Sequence, residues 1–291
     1  MEESRRSLTA GNLVHACAPL ALYYLISSAA SFICMQILAL EAGFAVLESG
    51  SGDVYDYILQ EYPGKILQMV LLTAAVAVPA FGWLYYRDLR EREGFSFRSM
   101  VIVLEVRPAA WAMAGSVCLA LALNLLLLAS PLPGWSAGFE QTQEALYQGS
   151  IWMELAVSGV AAAVMEELLM RGLFYGRLRE MMEPGRAVFW SALAFAMCHG
   201  NLVQGIYAFL MGCLLACLKE RFRTIWIPIL AHMCANIAVI FMSESGGMDF
   251  LLQRPFLAIL AVLAGALTAA LSLLLVWVSG QSVSEKTERY K

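Results

Sequence analysis

Residues 151–179 read IWMELAVSGVAAAVMEELLMRGLFYGRLR, a stretch long and apolar enough to cross a bilayer, yet Glu154, Glu166, Glu167 and Arg171 sit inside it. A helical span takes about 20 mostly apolar residues. Each charged side chain near its middle costs about 2.5–3.5 kcal/mol on insertion scales, so a helix carrying several is a poor solitary span. It is tolerated where the charges face a protein-lined or wet hollow instead of lipid. Such a stretch implies a bundle of further spans around it, with a polar cavity inside.

The rest of the chain supplies that bundle. Of 291 residues, 60% are hydrophobic and 14% are charged, and the mean hydropathy is +0.68. A soluble domain is typically about 25% charged, so this excess of apolar residues belongs in a bilayer. Eight candidate spans follow, at 12–40, 65–86, 108–130, 151–176, 187–200, 203–218, 224–243 and 255–279. The first runs longer than the apolar region of a cleaved leader and lacks a small-residue cleavage site, so it is read as a span. The expected fold is an all-α polytopic membrane protein, with about eight transmembrane helices around a polar intramembrane cavity. Residues 1–291 form one multi-span domain. Its catalytic core is expected at about 151–243, with accessory spans within 12–130 and a last span at 255–279.

Charge placement sets the topology. With the N-terminus inside, the cytoplasmic segments hold 16 of the 19 Lys and Arg: Arg5, Arg6, Arg87, Arg90, Arg92, Arg98, Arg107, Arg177, Arg179, Arg186, Lys219, Arg221, Arg223, Lys286, Arg289 and Lys291. The opposite side keeps Lys65 and Arg254, and its segments 41–64 and 131–150 are acidic. This asymmetry is what the positive-inside rule requires of an even number of spans, and it predicts a multi-pass protein of the cell membrane with both termini cytoplasmic. The net charge of −4 comes with no basic stripe, which argues against a nucleic-acid partner. Seven cysteines lie scattered in apolar stretches without CxxC spacing, as small buried hydrophobes and not as a disulfide framework or thiolate cage.

The chemistry-bearing residues are few enough to sort by helical geometry. Glu167 and Arg171 are i,i+4 and share a face as an ion pair, whereas Glu166 points about 100° away and is left free for chemistry. Of only three histidines, His199 closes FAMCHGN and His232 opens HMCAN, with Asn236 at i+4 on the same face as His232. His15, near the start of the first span without a partner, is read as structural. Glu166 and His199 can between them take a proton from water for attack on an amide carbonyl. His232 and Asn236 suit donation to the resulting oxyanion, where one donor contributes about 2.7–4 kcal/mol. Cys198 and Cys234 adjoin these residues, but helix neighbours point about 100° apart, which disfavours a Cys–His dyad. A metal alternative stays open with Glu166, His199 and His232 as ligands, since two His and a carboxylate make a familiar zinc set, although HExxH spacing is missing. Zinc is not the favoured reading, and no cofactor is expected.

The order Glu166-Glu167-x-x-x-Arg171, Phe195-x-x-x-His199 and His232-x-x-x-Asn236 resembles the three-motif signature of the CPBP (Abi) family, which includes CAAX prenyl endopeptidases and bacteriocin-processing and immunity membrane proteins. The resemblance covers about residues 151–240 and extends to HGNLVQGIYAFLMG and to the Trp226–Pro228 lead-in of the third motif. It implies Glu166 as catalytic carboxylate, His199 as its partner in activating water, His232 and Asn236 as oxyanion hole, and Glu167 and Arg171 as supports. Many members are labelled metalloproteases, while the best-understood prenyl endopeptidase relative is taken as a metal-independent glutamate protease. The implied function is an intramembrane endopeptidase acting on a membrane-associated or lipid-modified peptide, with membrane lipid as its surroundings. The competing class is a non-catalytic immunity or regulatory membrane protein of the same fold. A proton-relaying transporter is disfavoured, because matching halves with broken spans are missing.

Overall fold

The computed structural model describes residues 7–49, 52–91, 106–136, 138–139, 142 and 149–288, with side chains described as far as Val278. Among these, every long element is a helix. We label them α1 (Ala10–Ser49), α2 (Val54–Glu91), α3 (Val106–Leu128), α4 (151–179), α5 (Pro184–Met197), α6 (Leu202–Phe222), α7 (Trp226–Glu244) and α8 (Pro255–Glu288). Six of the eight are long and apolar enough to cross a membrane; the exceptions are the charged α4 and the short α5. The chain is an all-α multi-pass membrane protein. Arg5, Arg6, Arg92, Arg98, Glu140, Glu144, Arg289 and Lys291 of the charge pattern, and the side chain of Lys286, lie outside the described residues.

The expected spans fall on the observed helices, with two larger differences. α1 continues to Ser49 and α2 already begins at Val54, where 41–64 was expected as a loop. A helix of 40 residues spans roughly 60 Å, about twice the hydrocarbon thickness, so the α1–α2 hairpin projects its acidic end beyond the apolar layer. Glu41 on that projection pairs with Lys65 at 2.8 Å. α8 likewise runs nine residues past 279, to Glu288. Pro19, Pro63 and Pro79 lie inside α1 and α2 without ending them. Proline is tolerated in spanning helices because neighbouring groups re-satisfy the freed backbone.

Small residues let the helices approach. A methyl group at Gly212 of α6 would come within 3.1 Å of Ala192 Cα on α5, and one at Gly265 of α8 within 3.1 Å of Ala122 Cβ on α3. Apolar side chains gain nothing by leaving lipid for a helix interface, so close van der Waals contact at small residues carries the association. Of the seven cysteines, all free, only Cys34 is buried; Cys17 is exposed and the rest are half-buried. This corrects the expectation of seven buried thiols: in lipid, an apolar side chain has no need of a protein interior.

α4 is the middle of the molecule and is not uniformly α-helical. Leu155–Ala161 and Leu168–Phe174 are wound as π-helix, flanking the α-helical Ala162–Glu167 that carries both glutamates. π segments are rare and occur mostly near functional sites. Each contains a glycine against a neighbour: a methyl at Gly159 would meet Ile237 of α7 at 3.2 Å, and one at Gly172 would meet the Tyr85 ring of α2 at 3.3 Å. The end of α4 is locked by charge. Arg177 grips Asp88 of α2 through Nε at 2.7 Å and Nη2 at 3.2 Å, and donates from Nη1 to the His15 carbonyl of α1 at 2.6 Å. Both members of the pair are buried. Tyr175 and Arg179 donate to Glu220 of α6 at 2.6 and 3.0 Å.

Candidate active site

A cavity of about 380 Å³ opens among α1, α2, α3, α4, α6, α7 and the α5–α6 turn, and its wall includes Glu166, His199, His232 and Asn236 together. The rest of the wall is mostly apolar and includes Ile66, Val70, Leu127, Val203 and Val239. Spans read as accessory thus build part of the hollow.

Local structure explains how each polar group arrives there. α5 ends at Met197, so His199 stands on the following turn and not in a span as expected. Helix ends leave carbonyls without an intrahelical donor. The imidazole Nδ1 of His199 lies 2.8 Å from the Phe195 carbonyl and caps it. Because a carbonyl only accepts, Nδ1 carries the hydrogen and the neutral ring keeps Nε2 as a free acceptor. Gly200 then turns with φ +74°, a conformation that favours glycine, and Asn201 caps α6 by accepting from Gln204 N. The string HGN is therefore carbonyl-capping imidazole, left-handed turn and helix cap in succession.

Glu167 and Arg171 form the expected pair at 2.6 Å, both fully buried. Arg171 also donates to the Gly212 carbonyl at 3.2 Å and lies over the Phe195 ring, 4.5 Å from its centroid. The same Glu167 oxygen that takes Arg171 lies 2.9 Å from His232 Nδ1. Helical spacing could not foresee this cross-helix bond. It fixes the hydrogen of His232 on Nδ1, since an ionised carboxylate only accepts. His232 Nε2 faces Glu166 Oε2 at 3.8 Å, and Glu166 keeps about a quarter of its surface open. The two glutamates therefore flank one imidazole from different environments, as their angular separation predicts. The neutral His232 ring presents an acceptor to the cavity and donates to an oxyanion only when both nitrogens are protonated.

Asn236 gives one amide hydrogen to the Ser158 carbonyl at 2.9 Å, inside the first π segment, and retains the other for the cavity. Phe195 ties the imidazoles together, edge-to-face with His199 at 4.7 Å and with His232 at 6.0 Å between centroids. Glu166 and His199 both line the wall of this cavity. His15 takes part only through its backbone carbonyl. Cys198 lies on the cavity wall, and its sulfur accepts from Tyr24 at 3.4 Å, away from the role of nucleophile. Glu154 is 1% exposed, with neither carboxylate oxygen hydrogen-bonded, and is not on that wall. Tyr23 of α1 is on the wall and was not foreseen. Among the described residues no three of His, Cys, Asp and Glu converge closely enough to hold a metal ion. Glu166, His199 and His232 as arranged do not fit one.

Comparison with known proteins falls on this same segment. The family model for the type II CAAX prenyl endopeptidase Rce1-like proteins matches residues 148–238. The Bacillus subtilis protein named "Putative membrane peptidase YdiL" is 29% identical over 100 residues, which cover 34% of this chain and 41% of that relative. No solved structure matches the chain. The matched residues contain all three motifs and every polar group at the cavity except those contributed by the other spans. Residues 148–238, the segment that carries the three motifs, are thus similar to the type II CAAX prenyl endopeptidase Rce1-like proteins.

Proposed function

We propose that the protein is an intramembrane endopeptidase that cleaves a peptide or lipidated protein held at the membrane, by a glutamate-activated water. The observation that carries this reading is the single cavity whose wall holds Glu166, His199, His232 and Asn236, drawn from α4, the α5–α6 turn and α7. A family of prenyl endopeptidases as the matching segment supports it, as does the apolar remainder of the wall, which suits a membrane-bound substrate.

Water between Glu166 and His199 loses a proton to the Glu166 carboxylate as its oxygen bonds to the scissile carbonyl carbon. His199 Nε2, the free acceptor, holds the water's second hydrogen and aligns its lone pair. The carbonyl oxygen becomes an oxyanion and receives the free amide hydrogen of Asn236, with His232 adding a second when doubly protonated. The C–N bond breaks as the proton on Glu166 passes to the leaving nitrogen. Charge stabilisation by fixed donors in a water-poor site is commonly the largest contribution to such catalysis. Glu167 and Arg171 hold His232 from behind and do not meet substrate. The charge pattern supports both termini on the cytoplasmic side, with the Asp88–Arg177 end of the bundle there as well.

The test is reconstitution of the purified chain in liposomes with an internally quenched peptide ending in a farnesylated cysteine. Cleavage that disappears in Glu166→Gln supports the enzyme; identical behaviour of both proteins makes the chain a non-catalytic membrane partner instead. Asn236→Ala should lower kcat by about 10²–10³-fold, because one oxyanion donor is lost. An unchanged kcat in that variant removes Asn236 from the mechanism. Preincubation with EDTA or phenanthroline should leave the rate within twofold of the untreated protein, and loss restored by added zinc would reinstate the metal alternative.

A further inference from the structure

The two ends of the bundle differ in chemistry. One end is drawn together by basic side chains. Arg177 of α4 holds Asp88 of α2 and the His15 carbonyl of α1, and Arg179 holds Glu220 of α6. Lys219 of α6 donates to the Tyr85 hydroxyl of α2 at 3.2 Å, and Arg221 reaches the Val276 carbonyl of α8 at 3.4 Å. These contacts bring the start of α1 and the later turns of α2, α4, α6 and α8 to one level. Among the described residues, the opposite end keeps Lys65, paired with Glu41, and Arg254. The positive-inside rule makes the basic end the cytoplasmic one.

The cavity keeps to the other end. Its wall takes Ile66 and Val70 from the first half of α2, Leu127 from the last turn of α3, Ser158 from the first half of α4, and Gln204 from the first turn of α6. At 1.5 Å of rise per residue, Gln204 lies about 22 Å from Lys219 along α6, and Leu127 about 30 Å from Arg107 along α3. The hydrocarbon layer is about 30 Å thick, so the wall extends to its far surface. Phe139 and Thr142, from the connection between α3 and α4 on that side, also belong to the wall. Toward the basic end the hollow has a floor. Phe81, Leu173, Phe174 and Tyr175 are buried in one packed cluster with the wall residues Leu169 and Met170, and the Glu167–Arg171 pair is fully buried. Glu166 lies roughly 16 Å before Arg177 along α4, near the middle of the layer.

We infer that the cavity opens on the membrane face away from the cytoplasm, and that its substrate is a peptide displayed on that face, entering by an apolar segment. This sidedness rests on the endopeptidase reading and deepens it by naming the substrate class. Ile66, Val70, Leu127, Val203 and Val239 give an apolar segment a lining to bury against. A tail held in the cytoplasmic leaflet meets the packed floor and the Asp88–Arg177 clamp instead. Exported peptides are therefore favoured over cytoplasmic ones.

The experiment uses sealed right-side-out and inverted vesicles from cells producing the full chain, as wild type or Glu166→Gln. The probe is an internally quenched peptide with an apolar middle and a charged dye at each end, which keeps it from crossing the bilayer. Right-side-out vesicles should cleave it about tenfold faster or more, in a Glu166-dependent way, and inverted vesicles should match them once permeabilised by detergent. Equal rates from the two faces, or faster cleavage by inverted vesicles, overturn the inference. Sidedness is also read without catalysis, by a membrane-impermeant maleimide with the wild type as blank. Thr142→Cys should gain label in right-side-out vesicles only, and Arg186→Cys, on α5 at the basic end, in inverted vesicles only. No gain for Thr142→Cys in right-side-out vesicles, or a gain in inverted ones, overturns the outward opening. Absence of Glu166-dependent cleavage in both vesicle types, before and after detergent and with the farnesylated peptide as well, sinks the endopeptidase reading and the substrate class with it, while the label still decides where the cavity opens.

Discussion

Glu166→Gln should reduce turnover by about 10²–10⁴-fold, the range that positioned proton transfer contributes. The amide has nearly the shape of the carboxylate but cannot take the proton of the attacking water. The variant should nevertheless fold. Glu166 is partly open to the cavity, and the His232 ring facing it at 3.8 Å keeps its bond to Glu167. Steady-state cleavage and thermal unfolding of the same preparation separate the two effects. A variant that keeps more than a tenth of the wild-type kcat removes Glu166 as the base.

Arg171→Ala should instead unfold the protein. Its guanidinium is fully buried, bonded to Glu167 and to the Gly212 carbonyl, and stacked over Phe195. Removing one partner of a buried pair costs about 3–5 kcal/mol, because the remaining charge stays in the interior without compensation. Glu167 has a second oxygen that already lacks a partner, so no reserve contact takes up the strain. The expected readout is a large fall in melting temperature in detergent or nanodiscs. The double variant Arg171→Leu with Glu167→Leu should recover much of that stability, since replacing a whole buried pair by apolar groups is often neutral. It should not recover activity, because Glu167 also fixes the hydrogen of His232. A stable, fully active Arg171→Ala would overturn the supporting role.

How far the sequence went can be read residue by residue. Glu166, Glu167, Arg171, His232 and Asn236 were legible because charged and polar groups are costly in apolar spans, so each one present had to face something. Glu166, His232 and Asn236 line one cavity, while Glu167 and Arg171 form the buried pair that their i,i+4 spacing announces. What periodicity could not give was contact between helices. The Glu167–His232 bond settles which nitrogen of His232 is free, and nothing in the spacing of 167 and 232 announces it. Tyr23 was invisible for a different reason: it is one of 11 tyrosines, and a tyrosine in a membrane helix is ordinarily an interfacial anchor. Arg177 was counted among the cytoplasmic basic residues, and a basic residue carries the same topological signal whether free or, as here, paired with Asp88. The π segments of α4 have no composition of their own, and the overshoot of α1 and α2 beyond the apolar layer follows from helix continuity through polar residues.

The clamp of Arg177 on Asp88 and the His15 carbonyl bears on modularity. The family-matched segment would look, on an alignment, like a self-sufficient cassette that could be cut out and transplanted. One of its charged side chains, Arg177, is nevertheless wired into two helices that precede it by some ninety and more than one hundred and sixty positions. A cassette beginning at residue 148 would leave the Arg177 guanidinium without Asp88 and one flank of its hollow unroofed. The likeness of the matched segment to a family and its physical autonomy are therefore separate matters in this molecule, and the leading hairpin is part of its structure.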